Sequence, residues 1–221
     1  MTMDMGKRKE MIQAPMGETK VLLHTCCAPC SSAIIEAMMQ NGITPVIFYC
    51  NPNIYPQEEY EIRKNECTRY AESLGLEIVD DDYDHETWLE SVRGMENEPE
   101  RGGRCLKCFK IRLLRSAGYA AEKGIKVITT TLASSRWKSL DQINEAGRWA
   151  CRQINGNFDD SRPEVDKIPP VDRVIWWDQN WRKGGLQERR LQIIREYDFY
   201  NQQYCGCEFS MRKDESLNKS F

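Results

Sequence analysis

A chain of 221 residues with 29% charged and 40% hydrophobic residues is long enough for one packed domain. It holds no apolar run near the ~20 residues of a membrane helix, and its net charge of −3 excludes indiscriminate polyanion binding while leaving room for a local basic face. Ten cysteines against two histidines, behind a polar N-terminus without an apolar leader, point to a cytoplasmic protein with metal or redox chemistry, not to a disulfide scaffold.

Residues 21–24 read as a short buried strand and 32–40 as a helix stopped by Asn41-Gly42. Residues 44–50 form a second strand rich in β-formers, and 56–74 a long helix ended by Gly75. A third strand over 76–80 runs into an acidic turn of Asp80, Asp81, Asp82 and Asp84. A short helix over 85–93 and a loop to 103 follow. Residues 105–123 predict a strong helix closed by Gly124. Then come a fourth strand (125–131), a helix (139–151), a loop (155–170), a fifth strand (174–177) and a helix (185–197). The alternation predicts an α/β fold, a mostly parallel sheet flanked by helices. One domain over 20–212 is expected, between a mobile tail over 1–19 and a disordered tail over 213–221. Sites in such sheets lie beyond the carboxyl ends of the strands. Cys26 and Cys27, Asn51 to Asn53, the aspartates, and Ser134 to Lys138 all fall there.

Three cysteine groups stand out. His24-Thr25-Cys26-Cys27-Ala28-Pro29-Cys30 joins the first strand to the first helix, with Pro29 where its missing N–H costs nothing. A helix N-terminus favours the thiolate, the form that binds metal and attacks. Cys105 and Cys108 lie in a run from Arg101 to Arg115 with six basic residues and no acidic one. On that helix Leu106, Phe109, Leu113, Ala117 and Ala120 make an apolar stripe, and Cys108, Arg112 and Arg115 share a face beyond it. In Tyr204-Cys205-Gly206-Cys207 the glycine permits the backbone angles that turn both sulfurs to one point. Together these are seven cysteines, more than the four of a zinc site or of a 4Fe–4S cluster. Cys50, Cys67 and Cys151 stand alone and read as small core residues.

Further short motifs accompany these groups: Tyr49 with Asn51-Pro52-Asn53-Ile54, Glu59-Tyr60 with Arg63, Arg104 before Cys105, Thr130-Thr131-Leu132 with Ala133-Ser134, and Arg182-Lys183-Gly184-Gly185. In their order and spacing, residues 21–212 resemble the cobalamin-independent epoxyqueuosine reductase family (QueH-type). The resemblance implies a fold related to nucleotide-alpha-hydrolase-like α/β proteins. It implies removal of the epoxide oxygen of epoxyqueuosine in a tRNA anticodon to give queuosine, with electrons from an external donor. It further implies a 4Fe–4S cluster and an adjacent mononuclear metal, iron for preference. Cys26, Cys27, Cys105, Cys108, Cys205 and Cys207 are the candidate cluster ligands. Some relatives carry Asp in place of Cys30, so Cys30 is the expected ligand of the second metal. Asp80, Asp82, His24 and Tyr204 are candidate proton donors, and Cys30, Asp80 and Tyr204 the expected catalytic residues. The tRNA is expected to meet Arg104, Lys107, Arg112, Arg115, Arg136, Lys138, Arg182 and Lys183, with Trp176, Trp177 and Trp181 as candidate stacking partners.

Two other classes fit parts of the sequence. A zinc-stabilised nucleic-acid-binding module would need fewer thiols. An ATP-dependent tRNA-modifying enzyme would need a glycine-rich phosphate loop where this chain has Cys-Cys-Ala-Pro-Cys. Nothing in the sequence sets an oligomeric state.

Overall fold

Residues 11–156 and 173–211 are described by the computed structural model. Its centre is β1 (Lys20–Thr25), whose apolar side chains alternate between two faces as strand geometry requires. On one side β1 pairs in parallel with β2 (Thr44–Tyr49), from Lys20 opposite Thr44 to Thr25 opposite Tyr49, and β2 pairs with β3 (Ile78–Asp80). On its other side lie β4 (Val127–Thr130) and then β5 (Ile175–Trp176). The order β3-β2-β1-β4-β5 is parallel throughout.

Among the described residues five helices cover the two faces. α1 (Ala28–Gln40), α2 (Gln57–Ser73) and α6 (Leu186–Glu196) enclose one core with Val21, Leu23, Ile47 and Val127. α4 (Gly103–Glu122) and α5 (Leu140–Asn155) enclose the other with Leu22, Val46, Phe48 and Ile128. The short α3 (His85–Ser91) starts at Asp84, whose carboxylate accepts from Thr87 N. On α5, Gly147 lets the indole of Trp176 lie against the helix; a Cβ there would come within 2.2 Å of the ring.

Several boundaries differ from the sequence expectation for local reasons. α1 starts four residues early, at Ala28, because Pro29 occupies its first turn and extended Cys27 caps it. β3 loses Leu76, whose N–H bonds back to Ala71 O in the turn closing α2. β4 loses Ile125 in the same way, to Ala120 O at the end of α4. The expected mobile tail is partly packed: Ala14 is buried in the first core, and Ile12 N donates to Asn41 Oδ1 at 3.1 Å. The tail over 213–221 and most of the loop over 155–170 lie outside the described residues. Among those residues no helix is long and apolar enough to cross a membrane.

Candidate functional site

Chain direction across the sheet reverses beside β1: β2 and β3 lie to one side, β4 and β5 to the other. A crevice opens there, beyond the strand ends. β1 ends at Thr25, so Cys26 and Cys27 emerge at the crevice, and Cys30 follows in the first turn of α1. The sulfurs of Cys26, Cys27 and Cys30 all lie within 4.8 Å of one another. Thr131, at the end of β4, reaches across to Cys26, its Oγ1 3.4 Å from Cys26 N and 3.6 Å from the sulfur. Hydrogen bonds from Cys27 and Cys30 hold the Cys26 thiol well below its usual range. The bond to Cys26 pushes Cys30 up to about 12, and burial pushes Cys27 up.

Beneath the triad a buried polar network ties three strand ends together. His24 Nδ1 accepts from Thr130 Oγ1 at 2.6 Å, and its Nε2 donates to Cys50 O at 3.1 Å. Burial, then the charge of Arg112, holds His24 down to about 3, and both ring nitrogens are engaged within this network. Arg112 also donates to Cys50 O, at 3.1 Å, and to Asn51 Oδ1, while Asn51 Nδ2 donates to Thr25 O at 2.9 Å. Arg112 is 2% exposed. Among the described residues its guanidinium has no carboxylate partner; burial opposes its charge, and Cys108 and Cys26 foremost favour it. Lys138 repeats the pattern: burial opposes its charge, and Cys205, Cys26 and Cys30 raise it.

The triad opens into a cleft of about 640 Å³ lined also by Cys105, Cys205 and Cys207. Cys108 and Cys207 share a small buried cluster with Trp88 and Val92. All three cysteine groups therefore meet at one place, although only Cys26, Cys27 and Cys30 are close enough to share an ion as they stand. The Cys205–Cys207 segment is strapped down by α2. Arg63 donates from Nη1 to Cys205 O (3.3 Å) and from Nη2 to Tyr204 O (3.2 Å), and is itself paired with Glu59 at 2.6 Å. Gly206 has φ +113°, and its carbonyl accepts from Tyr55 N at 2.9 Å. Gln202 reaches back over the triad, donating from Nε2 to Cys27 Sγ at 3.0 Å. Gln202 carried no signal in the sequence; Arg63 stood out there only as part of the Glu59-Tyr60 motif, not as a clamp.

Other expected site residues lie elsewhere or are otherwise engaged. Asp80 is bound at the edge of the sheet, by Tyr60 Oη at 2.6 Å and Lys64 Nζ at 3.2 Å, and does not line the cleft. Tyr204 lines the cleft but donates its hydroxyl to Tyr55 O. Arg104 and Arg112, expected to face tRNA, are buried. Arg104 is spent on the carbonyls of Met95, Glu96 and Glu98, because the loop before α4 folds over it. Arg115 pairs with Asp81 at 2.6 Å, and Arg182 donates to Lys138 O at 2.8 Å. Trp177 and Trp181 are core residues, and half-buried Trp176 lies against Gly147 and donates to Asn144. Lys107, Arg136 and Lys183 are exposed; of these only Arg136 lines the cleft, beside half-buried Lys138.

Comparison with known proteins gives a consistent result. A family model described as epoxyqueuosine reductase QueH matches residues 21–213. An epoxyqueuosine reductase QueH of Histophilus somni is 44% identical over 201 residues, covering 91% of this chain and 76% of its own. That of Haemophilus influenzae is 43% identical, covering 92% and 76%, and that of Acinetobacter baylyi 43%, covering 94% and 88%.

Proposed function

This chain belongs to the epoxyqueuosine reductase QueH family, and from that membership we propose that its cysteine-lined cleft holds an iron–sulfur cluster and a second metal with which it reduces epoxyqueuosine in tRNA to queuosine. The enzyme is an oxidoreductase. Removing the epoxide oxygen takes two electrons and two protons and leaves water and an alkene. No side chain supplies those electrons, so a redox cofactor and an external donor must.

The observation that carries the reading is the sulfur triad at the reversal point of the sheet, inside a cleft lined by two further cysteine groups. Sulfur donors suit iron. The two cations facing them, Arg112 and Lys138, suit the negative charge of a metal–thiolate group. Four of Cys26, Cys27, Cys105, Cys108, Cys205 and Cys207 are the proposed cluster ligands, and Cys30, with thiols the cluster leaves over, the proposed ligands of a mononuclear iron. When bound, the cluster supplies single electrons and the neighbouring metal acts as a Lewis acid toward the epoxide oxygen.

The protein's own residues do the rest. Arg112, locked under the triad by Cys50 and Asn51, holds a fixed positive charge beside the sulfurs. Arg63 and Glu59 hold the Cys205–Cys207 segment at the cleft. Arg136 and Lys138 at the cleft, and Lys107 and Lys183 outside it, are the proposed phosphate contacts. One domain over 20–212 would carry the whole activity, in the cytoplasm with its tRNA. Iron and labile-sulfide analysis of anaerobically purified protein tests the reading. Stoichiometric cluster, lost in Cys26→Ser and Cys27→Ser but kept in Cys67→Ser, is expected. A colourless, zinc-only protein would overturn it.

A further inference from the structure

We propose that Trp137 is a stacking platform for an unpaired anticodon-loop base next to the modified nucleoside, an inference that rests on the tRNA substrate proposed above. Trp137 is 76% exposed, whereas the other five tryptophans are buried or half-buried. A single exposed apolar side chain is ordinary. What sets this one apart is the backbone that presents it. Arg101 donates from Nε to Trp137 O at 2.9 Å and from Nη2 to Arg136 O at 3.0 Å. Arg182 donates to Lys138 O at 2.8 Å, and Trp137 N donates to Ser135 Oγ at 3.3 Å. Three successive carbonyls are thus held by two arginines from distant parts of the chain. Among the described residues no ring and no cation packs on the indole itself. The backbone is held by these bonds while its large apolar ring faces water, a pre-organised surface.

The position of the ring says what that partner is. Trp137 stands at the cleft that contains Cys26 and Cys30, between exposed Arg136 and half-buried Lys138. A cleft of about 640 Å³ has the size of a small-molecule pocket. It takes the modified nucleoside and leaves that nucleoside's neighbours at the rim. An unpaired base offers a π-face and a flanking phosphate. An aromatic ring flanked in sequence by two cations at the same cleft matches both, and such stacking tolerates any base. A protein partner such as the electron donor is the other occupant that an exposed tryptophan could meet.

Affinity for tRNA carrying epoxyqueuosine tests this, measured alongside conversion of the same tRNA by the wild-type enzyme. Trp137→Ala should raise Kd about ten-fold or more, with thermal stability unchanged because the ring is in solvent. Trp137→Phe should restore most of the affinity. The salt dependence of binding should be unaltered in Trp137→Ala, since the indole carries no charge, whereas Arg136→Ala should lower the slope by about one. Against anticodon stem–loops made abasic on either side of the modified nucleoside, the difference between wild type and Trp137→Ala should vanish for one of the two. Equal affinity of Trp137→Ala and wild type for intact tRNA would overturn the platform. If such a variant also slowed turnover with a protein electron donor, the ring would belong to the donor's docking site. Wild-type turnover with unchanged Trp137→Ala affinity would sink the platform alone. Absence of both tRNA binding and turnover in the wild type would sink the platform and the proposed function together.

Discussion

Gly206→Ala changes no metal ligand, yet it should cost the enzyme both stability and iron. At φ +113° only glycine is comfortable, and any other residue there loses about 1–3 kcal/mol. A Cβ at this position would sit 2.9 Å from Ile54 Cγ1 and 3.1 Å from Arg63 Nη1. Neither neighbour can retreat freely: Ile54 is in the core, and Arg63 is held by Glu59 at 2.6 Å. The loop must move instead. That stretches the bonds from Arg63 to Cys205 O and Tyr204 O, and the bond from Tyr55 N to Gly206 O. Both flanking thiols shift with it. Strain and clash together should lower stability by roughly 2–4 kcal/mol, with Tm falling by roughly 2–4 °C per kcal/mol. Gly118→Ala is the control. Its Cβ would meet only Ile154 Cδ1, at 3.8 Å, from inside α4, and helix propensity favours alanine there by up to ~1 kcal/mol. Thermal melts and iron content of the two variants form the assay. Gly206→Ala with wild-type Tm and full iron would refute the claim that this glycine holds Cys205 and Cys207 in place.

Replacing Arg112 with Leu strips Asn51 Oδ1 of its charged donor and should cost about 2–4 kcal/mol in denaturant unfolding, while the salt slope of tRNA binding stays the same because the side chain is buried. Arg63→Lys keeps the charge opposite Glu59 but loses the fork that spans two carbonyls; faster proteolysis within residues 199–207 is expected, and unchanged cleavage would count against the strap. Cys30→Ala should keep the cluster spectrum and lose turnover, and Cys30→Asp should keep the cluster and some turnover; loss of the cluster spectrum in Cys30→Ala would make Cys30 a cluster ligand. Gly147→Ala should destabilise strongly, because its Cβ would overlap the Trp176 ring at 2.2 Å; a wild-type melt would mean that β5 and α5 separate without cost.

The sheet was legible because its central strands are runs of β-forming apolar residues and its helices end at Gly42, Gly75 and Gly124, all at positive φ. Strand starts were misjudged where an apolar residue serves two elements: Leu76 and Ile125 look like strand but close the preceding helix. The cysteine groups were visible as residue types at short spacings, and Gly206 as the residue that lets Cys205 and Cys207 share a turn. Helical periodicity placed Arg112 on the face of Cys108, but it could not say what covers that face. The ends of β1 and β2 cover it, so a residue expected at the RNA surface became a buried cation under the thiols. Arg104 was hidden in the same way, by carbonyls of a loop with no pattern of its own. Trp137 did have a signal, a lone aromatic within Ser134-Ser135-Arg136-Trp137-Lys138-Ser139, but only its exposure and clamped backbone give that signal meaning.

Turnover of the natural substrate tests the central claim most directly. Iron-loaded wild-type enzyme, incubated anaerobically with epoxyqueuosine-containing tRNA and a strong reductant, should yield queuosine, seen as loss of one oxygen from the digested nucleoside. The Cys26→Ser and Cys27→Ser enzymes should leave the epoxide intact. Wild-type enzyme with a full complement of iron and sulfide that leaves the epoxide untouched would contradict the account, as would Cys26→Ser enzyme that removes it at the wild-type rate.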